Sequence, residues 1–247
     1  MSRFVMLSGP SCVGKGPLYS ALRKFYPDLA GRLKQVVLYN SRDPRPGEQE
    51  GRDYYFRPRE EIEELAKKPG FTSADVRGDL QAIEVARIKT MLDQDKDAFF
   101  EGNPFIPAKL VELEEIQEIP TLKVFLSPLS REEILFFNDP LRRTNLEKLL
   151  PDIMRRKLLR RTKREKSTLS LKDLENIEMR VASAIIELRE AWKFDYVIPN
   201  HDGEDSEHWD AFYYPLGDAR RTLLAFAALL KGETPAGVER WEKDLVP

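Results

Sequence analysis

The sequence predicts an α/β fold in which a mainly parallel sheet is flanked by helices on both faces. Three observations predict it: short apolar runs, charged or amphipathic segments between those runs, and a glycine-bearing loop directly after the first run. Because helical segments separate the expected strands, neighbouring strands are expected to run parallel with right-handed connections. The expected strands are residues 3–9, 34–41, 97–103, 121–128 and 194–200.

The first strand, the loop and the first helix follow one another without a gap. Residues 3–9 are apolar and lead into Ser-Gly-Pro, which is typical of a buried strand that ends in a loop. Pro17 suits the first turn of a helix, and Leu18, Leu22 and Phe25 then recur at helical spacing. The order strand, glycine loop, helix is therefore predicted for the first 25 residues.

Further helices are expected later in the chain. Residues 58–68 form a charged helical segment, and residues 83–94 form an amphipathic one. Residues 218–233 are strongly apolar and reach Gly232, which predicts a packing helix that ends at this glycine. Residues 42–56 are too rich in Pro, Gly and charge for regular structure, so a loop is expected there.

Composition indicates a soluble, globular chain that is well supplied with surface charge. Of the 247 residues, 41% are hydrophobic and 33% are charged, and 40 Lys and Arg face 42 Asp and Glu. No global field favours nucleic acid or a membrane surface, so neither partner is expected, and phosphate chemistry would need locally placed cations. A single cysteine, Cys12, excludes an intramolecular disulfide. No signal peptide or long apolar run is recognised, so the cytoplasm is the expected location.

The loop after the first strand matches the spacing G-x-x-x-x-G-K from Gly9 through Gly14 to Lys15. Backbone N–H groups converging at a helix N-terminus form a concave anion site, and Lys15 would reach outer phosphates as a point charge. The alternative is an ordinary strand-to-helix turn, with Cys12 as a small filler. The expected nucleotide-binding residues here are Gly9, Pro10, Ser11, Cys12, Val13, Gly14, Lys15 and Gly16.

Gly16 departs from the pattern, because a Ser or Thr normally follows the lysine and ligates Mg²⁺. Magnesium can still be held by phosphate oxygens and water, with a protein carboxylate nearby. Glu101, at the end of the strand 97–103, is the candidate, since ligands of open α/β sheets gather at that end. The alternative is that Glu101 caps a turn or forms a salt bridge.

A second anion site is expected in the loop 42–56. Arg42 and Arg45 lie three residues apart, and guanidinium forks suit a phosphate dianion. Tyr54 can add a neutral O–H donor. The alternative is a pair of surface arginines in a polar loop.

Residues 142–166 carry eleven Lys and Arg among three acids. Leu149, Ile153, Arg156 and Arg160 fall on successive turns, which predicts one helix with an apolar and a basic stripe. Three interpretations stay open: a solvated basic face, a nucleic-acid patch that lacks stacking aromatics, and an arginine-rich flap over phosphates.

Three stretches together resemble the guanylate kinase family, within the P-loop nucleoside monophosphate kinases: "SGPSCVGKGPL", "SRDPRPGEQEGRDYYF" and "FDYVIPNHD". The resemblance implies a three-layer P-loop fold with an acceptor-binding insertion and a lid. The implied parts are a core at 1–37, 95–140 and 176–204, an acceptor-binding insertion at 38–94, a lid at 141–175 and a C-terminal helical extension at 205–247.

The resemblance also implies roles and cofactors. It implies that ATP and Mg²⁺ bind, that Arg42, Arg45 and Tyr54 hold the acceptor monophosphate, and that Asn200 lies near the adenine base. The implied catalytic residues are Lys15, Arg42, Arg180 and Arg164, with Arg160 and Arg161 competing with Arg164 as the lid arginine.

Base recognition departs from the family. The family's serine after the second strand becomes Leu38, and its glutamate after a Phe-containing strand becomes Ser73. Its tyrosine and small hydroxyl residue become Gln81 and Ile83, and its second aspartate becomes Asn103. The polar residues expected to rebuild the acceptor pocket are Arg77, Asp79, Gln81 and Asn103.

The expected function is therefore transfer of the γ-phosphoryl group of ATP to a nucleoside monophosphate, with GMP as the first acceptor to test. Two alternatives are kept. One is a non-catalytic binding module, which Gly16 and the altered base readers favour. The other is a kinase for another phosphorylated small molecule.

Overall fold

The computed structural model describes residues 2–45, 47–141 and 145–247. Its strands are β1 Phe4–Ser8, β2 Leu33–Gln35, β3 Leu38–Asn40, β4 Tyr54–Phe56, β5 Phe71–Val76, β6 Asp79–Glu84, β7 Asp97–Gly102, β8 Thr121–Ser127 and β9 Tyr196–Pro199. Its α-helices are α1 Lys15–Phe25, α2 Pro27–Arg32, α3 Arg59–Ala66, α4 Val85–Asp93, α5 Phe105–Leu110, α6 Glu114–Gln117, α7 Arg131–Asn138, α8 Leu146–Glu165, α9 Leu171–Leu188 and α10 Gly217–Lys231. Two short 3-10 helices span Ala191–Lys193 and Glu207–Trp209.

A five-stranded sheet with the order β2-β7-β1-β8-β9 forms the centre of the fold. β2 pairs with β7, and β8 pairs with β9, in parallel. β1 is buried along its whole length, as expected for a strand that is covered on both faces. The predicted mainly parallel sheet flanked by helices is confirmed.

A second sheet, with the order β4-β3-β6-β5, contains both parallel and antiparallel pairs of strands. β3 pairs in parallel with β4 but antiparallel with β6, and β5 and β6 form a hairpin. Arg77 and Gly78 make its two-residue turn, and both have positive φ, 60° and 88°. The sequence pattern does not indicate this hairpin, because Asp75, Arg77 and Asp79 interrupt the apolar residues.

The prediction of one strand over residues 34–41 is wrong. The run divides into β2 and β3, which belong to different sheets, and the N–H of Val36 between them bonds the carbonyl of Phe99 at 2.7 Å. No polar residue marks the division in the sequence, since Val36 and Leu38 beside it are both apolar and both buried. The helix predicted from residue 83 starts at Val85, since Ile83 and Glu84 still belong to β6.

The chain divides into two compact units, one comprising Met1–Met6 and Arg32–Leu122, the other Leu7–Gly31 and Lys123–Pro247. In the first unit, a large apolar cluster includes Phe4, Ile83 and Phe100, and a smaller one joins α3 to the second sheet. In the second unit, one cluster joins β8 and β9 to α8 and α9. The four-part division by residue number stays a prediction.

α8 and α9 pack together through apolar side chains within the second unit. The buried residues are Leu146, Leu150, Met154 and Leu158 on α8, and Ile177, Val181, Ala184 and Leu188 on α9. The predicted apolar stripe through Leu149 and Ile153 is therefore rotated by one residue, and both side chains are only half-buried. Residues 142–144, the start of the predicted basic run, lie outside the described residues.

The C-terminal segment belongs to the core of the second unit. α10 ends at Gly232, which has φ 86°, as the sequence predicts. Trp241, Leu245 and Val246 join the apolar cluster of α8 and α9. Within the described parts of the chain, no helix is both long and apolar enough to cross a bilayer.

Candidate active site

The loop between β1 and α1 is shaped by glycines at its two ends. Gly9 has φ 148°, and a Cβ there would lie 2.4 Å from the carbonyl oxygen of Leu126. Gly14, at the N-cap of α1, has φ 102°, and no side chain caps the helix. The N-terminus of α1, the positive end of the helix dipole, therefore has no side-chain cap.

Lys15 lies across this loop. Its side chain is buried, with 8% exposure of the residue, and its Nζ donates to the carbonyl oxygens of Gly9 and Pro10, each at 2.9 Å. The ammonium group is thus fixed over the start of the loop rather than extended into solvent. A held point charge beside uncapped N–H groups is an arrangement suited to phosphate oxygens.

Arg180 brings a second cation to the same loop. From α9, its Nη1 donates to Oγ of Ser11 at 2.8 Å, and its Nε donates to Oδ1 of Asn176 at 2.7 Å. The structure therefore brings Arg180, on α9, into contact with the loop that contains Ser11 and Lys15.

Asn200 supports the far side of the loop. It is fully buried, and its Nδ2 donates to the carbonyl oxygens of Val13 at 2.8 Å and Asp202 at 2.7 Å. A Cβ on Gly14 would lie 2.7 Å from this Nδ2 and 3.2 Å from Cζ2 of Trp209. The amide of Asn200 is thus committed to holding the loop backbone, a role that sequence reasoning missed.

The side chain of Cys12, a residue of the same loop, is buried in an apolar cluster. It has φ 66°, is 1% exposed, and packs in the apolar cluster of the second unit. Burial, with a smaller contribution from Glu204, raises the pKa of its thiol to about 12. The thiol therefore stays protonated at neutral pH, which agrees with a filler rather than a redox group.

Gly16 faces open space. A Cβ there would meet no atom within 4 Å, so nothing in the described structure requires glycine at this position. Among the described residues, no group of three or more His, Cys, Asp or Glu side chains could hold a metal ion. The candidate magnesium residue Glu101 is the second-last residue of β7 and is half-buried.

The arginines of the predicted lid are paired with an acidic segment. Three carboxylates within residues 204–207 accept them: Arg160 contacts Asp205 at 3.1 Å, Arg161 contacts Glu204 at 2.7 Å, and Arg164 contacts Glu207 at 3.3 Å. The Arg164 and Glu207 side chains are 43% and 79% exposed, so their attraction is weak and readily exchanged. Sequence reasoning missed this acidic segment, although its carboxylates stand only a few residues after Asn200.

Glu48 organises the loop that carries Arg42 and Arg45. Its two carboxylate oxygens accept Nη1 and Nη2 of Arg42 at 2.7 and 2.6 Å, and one also accepts the backbone N–H of Arg45 at 2.8 Å. The guanidinium lies 5.1 Å from the ring centre of Tyr54. Arg42 therefore lies between the carboxylate of Glu48 and the ring of Tyr54, the two other side chains of the predicted acceptor loop that fix its position.

Contacts and burial within this loop shift the pKa values of Glu48 and Tyr54. The hydrogen bond from Arg42, together with the N–H of Arg45, holds the pKa of Glu48 below its usual range although burial opposes it. Burial raises the pKa of Tyr54, against the charge of Arg42, so its hydroxyl stays a neutral donor. Glu48 is a residue that sequence reasoning missed; its one signal is an acid three residues after Arg45.

The remaining acceptor candidates sit in the first unit. Asp79 is half-buried, and burial raises its carboxyl pKa against the charges of Arg42, Arg45 and Arg77. Gln81 lies opposite Asn40 across the β3–β6 pair. Asn103 is buried, and its Oδ1 accepts the N–H of Phe105 at 2.9 Å at the start of α5.

The strand register shows on which face of β5 the side chain of Ser73 lies. Ser73 lies opposite Ala82, which packs towards α3, whereas Gln81 lies opposite Ala74, which packs in the other cluster. Successive side chains of a strand alternate between faces. Ser73 therefore points away from the face that carries Gln81, and Thr72 is the neighbour on that face.

Comparison with known proteins gives a consistent result. The family described as Guanylate kinase matches residues 1–156. A guanylate kinase from Synechococcus sp. (strain JA-3-3Ab) is 33% identical over 218 residues, which covers 86% of this chain and 82% of that protein. A guanylate kinase from Rhodococcus jostii (strain RHA1) is 28% identical over 207 residues, covering 81% of each chain.

The fold has a counterpart among solved structures. The crystal structure of guanylate kinase from Anaplasma phagocytophilum aligns with a TM-score of 0.55 at 20% sequence identity. The alignment covers 94% of this chain and 85% of that one. At this identity the likeness bears on the fold, whereas the roles of individual site residues stay predictions.

Proposed function

This chain belongs to the guanylate kinase family, and on that premise we propose that it transfers the γ-phosphoryl group of ATP to GMP. Membership makes it an ATP-dependent nucleoside monophosphate kinase; the choice of GMP as acceptor is the proposal. The observation that carries the proposal is the loop with two cations, in which Lys15 spans the backbone and Arg180 bonds Ser11.

The donor side acts through position and charge. Loop N–H groups and Lys15 would hold the outer phosphates of ATP, and Arg180 would neutralise charge that builds up during transfer. No side-chain nucleophile is required, because an oxygen of the acceptor phosphate attacks the γ-phosphorus directly while the bond to the β-phosphate oxygen breaks. Arg164 and its neighbours on α8 would contribute only by leaving their carboxylate partners.

The acceptor side would fix the attacking oxygen. Arg42 would supply a guanidinium that Glu48 keeps oriented, and Tyr54 would add a neutral hydroxyl donor. Arg45 would complete the grip on the phosphate dianion. Orientation of this kind converts a bimolecular step into one that resembles an intramolecular reaction.

A magnesium ion suits a site for the phosphates of ATP at this loop, although Gly16 supplies no ligand for the ion. When bound, Mg²⁺ would neutralise charge between the phosphates. Glu101, whose carboxylate oxygens suit a hard cation, would hold it through water.

The test is ADP formation by the purified chain with ATP and GMP, in the wild type and in Lys15→Ala. We expect turnover in the wild type and a fall of about a thousandfold or more in Lys15→Ala, because the held charge on the phosphates is lost. A Lys15→Ala variant that keeps most of the rate would contradict the assignment. Lys148→Ala, on the exposed first turn of α8, serves as the control.

A panel of acceptors addresses the second candidate, a kinase for another phosphorylated small molecule. Leu38 and Ile83, both buried in an apolar cluster, favour it, because neither can hydrogen-bond a guanine. ADP formed with another phosphorylated compound but not with GMP would select this candidate. Binding of ATP with no ADP from any acceptor would instead select a binding module.

A further inference from the structure

The loop between β1 and α1 is held on one side by residues 200–205, called here the supporting segment, which follow β9 directly. Nδ2 of Asn200 donates to the carbonyl oxygen of Val13 at 2.8 Å. The N–H of Glu204 donates to the carbonyl oxygen of Cys12 at 3.2 Å. Two successive carbonyl groups of the loop are therefore bonded to the supporting segment.

A bonded carbonyl group also fixes the N–H group of the same peptide unit. A trans peptide is planar, and its C=O and N–H bonds point in opposite directions. Among the described residues no peptide bond is cis. Because the carbonyls of Cys12 and Val13 face the supporting segment, the N–H groups of Val13 and Gly14 point away from it. Both belong to the loop N–H groups proposed to hold the phosphates of ATP.

The supporting segment comes very close to the loop at Gly203. This glycine is buried, and a Cβ added to it would lie 2.3 Å from the carbonyl oxygen of Cys12. The same Cβ would lie 2.8 Å from Oδ1 of Asp205 and 3.2 Å from Nζ of Lys157. The charged groups of Lys157 and Asp205 therefore lie beside the loop backbone.

Lys157 joins the supporting segment to α8. The residue is only 7% exposed, and its Nζ donates to the carbonyl oxygen of His201 at 2.5 Å and lies 3.7 Å from Oδ1 of Asp205. Arg160, on the same helix, contacts the other carboxylate oxygen of Asp205 at 3.1 Å. A buried charge is costly unless it is paired, so these groups stabilise one arrangement of the segment. Lys157 thus contacts residues near both ends of it.

We propose that Lys157 and Asp205 are positioning residues for the donor nucleotide. They hold the supporting segment in place, and the segment in turn directs the N–H groups of Val13 and Gly14 towards the phosphates of ATP. Neither side chain needs to touch the nucleotide, because the loop carbonyls transmit the effect. The inference rests on the proposed function, since it takes ATP as the ligand of the loop.

Calorimetry of ATP with Mg²⁺ and without an acceptor tests the inference in the full chain. Lys157→Met keeps the length of the side chain but removes its charge and its donors. We expect ATP to bind about 10-fold more weakly, because the loop N–H groups are no longer held in one orientation. Lys163→Met, at an exposed position of the same helix, is the matched control and should bind ATP as the wild type does. Unchanged affinity in Lys157→Met, or an equal loss in the control, would overturn the inference.

Two further readouts separate positioning from a general loss of structure. GMP binding, measured without ATP, should be the same in Lys157→Met and the wild type, and an equal weakening of GMP and ATP would overturn the inference. In a chain with isotope-labelled valine and glycine, ATP should shift the N–H resonances of Val13 and Gly14 less in the variant. Equal shifts in both chains would overturn it as well.

Asp205→Asn tests whether the two residues act together. Because Arg160 and Lys157 both lose a charged partner, we expect ATP to bind about 3-fold more weakly. The double variant should bind ATP no more weakly than Lys157→Met alone, whereas losses that multiply would show two separate effects and contradict the inference. If Lys157→Met fails to fold, which circular dichroism would reveal, Asp205→Asn decides alone.

Failure of this inference and failure of the proposed function are distinguishable, because ATP binding is measured without transfer. A wild-type chain that binds ATP but forms no GDP from GMP would overturn the proposed function alone, and the ATP measurements on the variants would still decide the inference. A wild-type chain that does not bind ATP would overturn both.

Discussion

The phosphate loop, residues 9–16, and the acceptor loop, residues 42–56, are proposed to bind anions through different groups. In the phosphate loop the proposed groups are backbone N–H groups, and glycine at positions 9 and 14 is required by φ and by close neighbours. In the acceptor loop the proposed groups are side chains, and the carboxylate of Glu48 orients Arg42 among them. A backbone site tolerates almost no change in its glycines, whereas a side-chain site can change its specificity one residue at a time.

Among the substitutions considered, Gly9→Ala is expected to have the largest effect on the free energy of unfolding. The new Cβ would lie 2.4 Å from a backbone carbonyl at φ 148°, so we expect a loss of about 3 kcal/mol or more in the free energy of unfolding. Urea unfolding measures it. Gly31→Ala in α2, where an added Cβ would meet no atom within 4 Å and φ is not positive, is the control, expected to be neutral or stabilising by up to about 1 kcal/mol.

Arg180→Ala tests whether α9 contributes charge to the donor site. Because its guanidinium bonds Ser11 in the loop, we expect kcat to fall about 100-fold while the affinity for the acceptor changes little. Steady-state kinetics with both substrates varied gives the two values. Arg155→Ala removes a guanidinium that pairs with Glu178 on the outer surface, and its kcat should match the wild type. Equal losses in both variants would mean that Arg180 acts through helix packing.

Glu48→Gln tests the side-chain organisation of the acceptor loop. Removing the charge that orients Arg42 should raise the KM of the acceptor about 10-fold with kcat nearly unchanged, since the loss is one of acceptor binding. Glu50→Gln, which alters an exposed carboxylate on Arg57, is the matched control. A lower KM in Glu48→Gln would show instead that Glu48 competes with the acceptor for Arg42.

The smallest effect is expected from Gly16→Ser. The position is open, so the hydroxyl fits without strain, and the free energy of unfolding should change by less than about 0.5 kcal/mol. Magnesium dependence of the rate is the informative measurement, and a shift of the half-saturating Mg²⁺ concentration to a lower value is expected, because the hydroxyl adds an oxygen ligand. An unchanged Mg²⁺ requirement would show that the ion is held without this position.

The sequence predicts features that depend on neighbouring residues better than features that depend on distant contacts. Gly9, Gly14 and Lys15 are spaced by backbone geometry, so a linear pattern predicts their loop directly. The pairing of Arg160 with Asp205 joins residues far apart in the chain, and no local pattern indicates it. The face of Ser73 depends on strand register, and a shift of one residue reverses it.

We propose that the loop with Lys15, which Arg180 contacts from α9, holds a donor whose terminal phosphoryl group passes to an acceptor monophosphate. Incubation with ATP labelled in its γ-phosphate, together with unlabelled GMP, tests it most directly. We expect the label to appear in GDP and Arg42→Ala to reduce this transfer strongly. Label found only in inorganic phosphate, with none in GDP or in the diphosphate of any other acceptor offered, would contradict it.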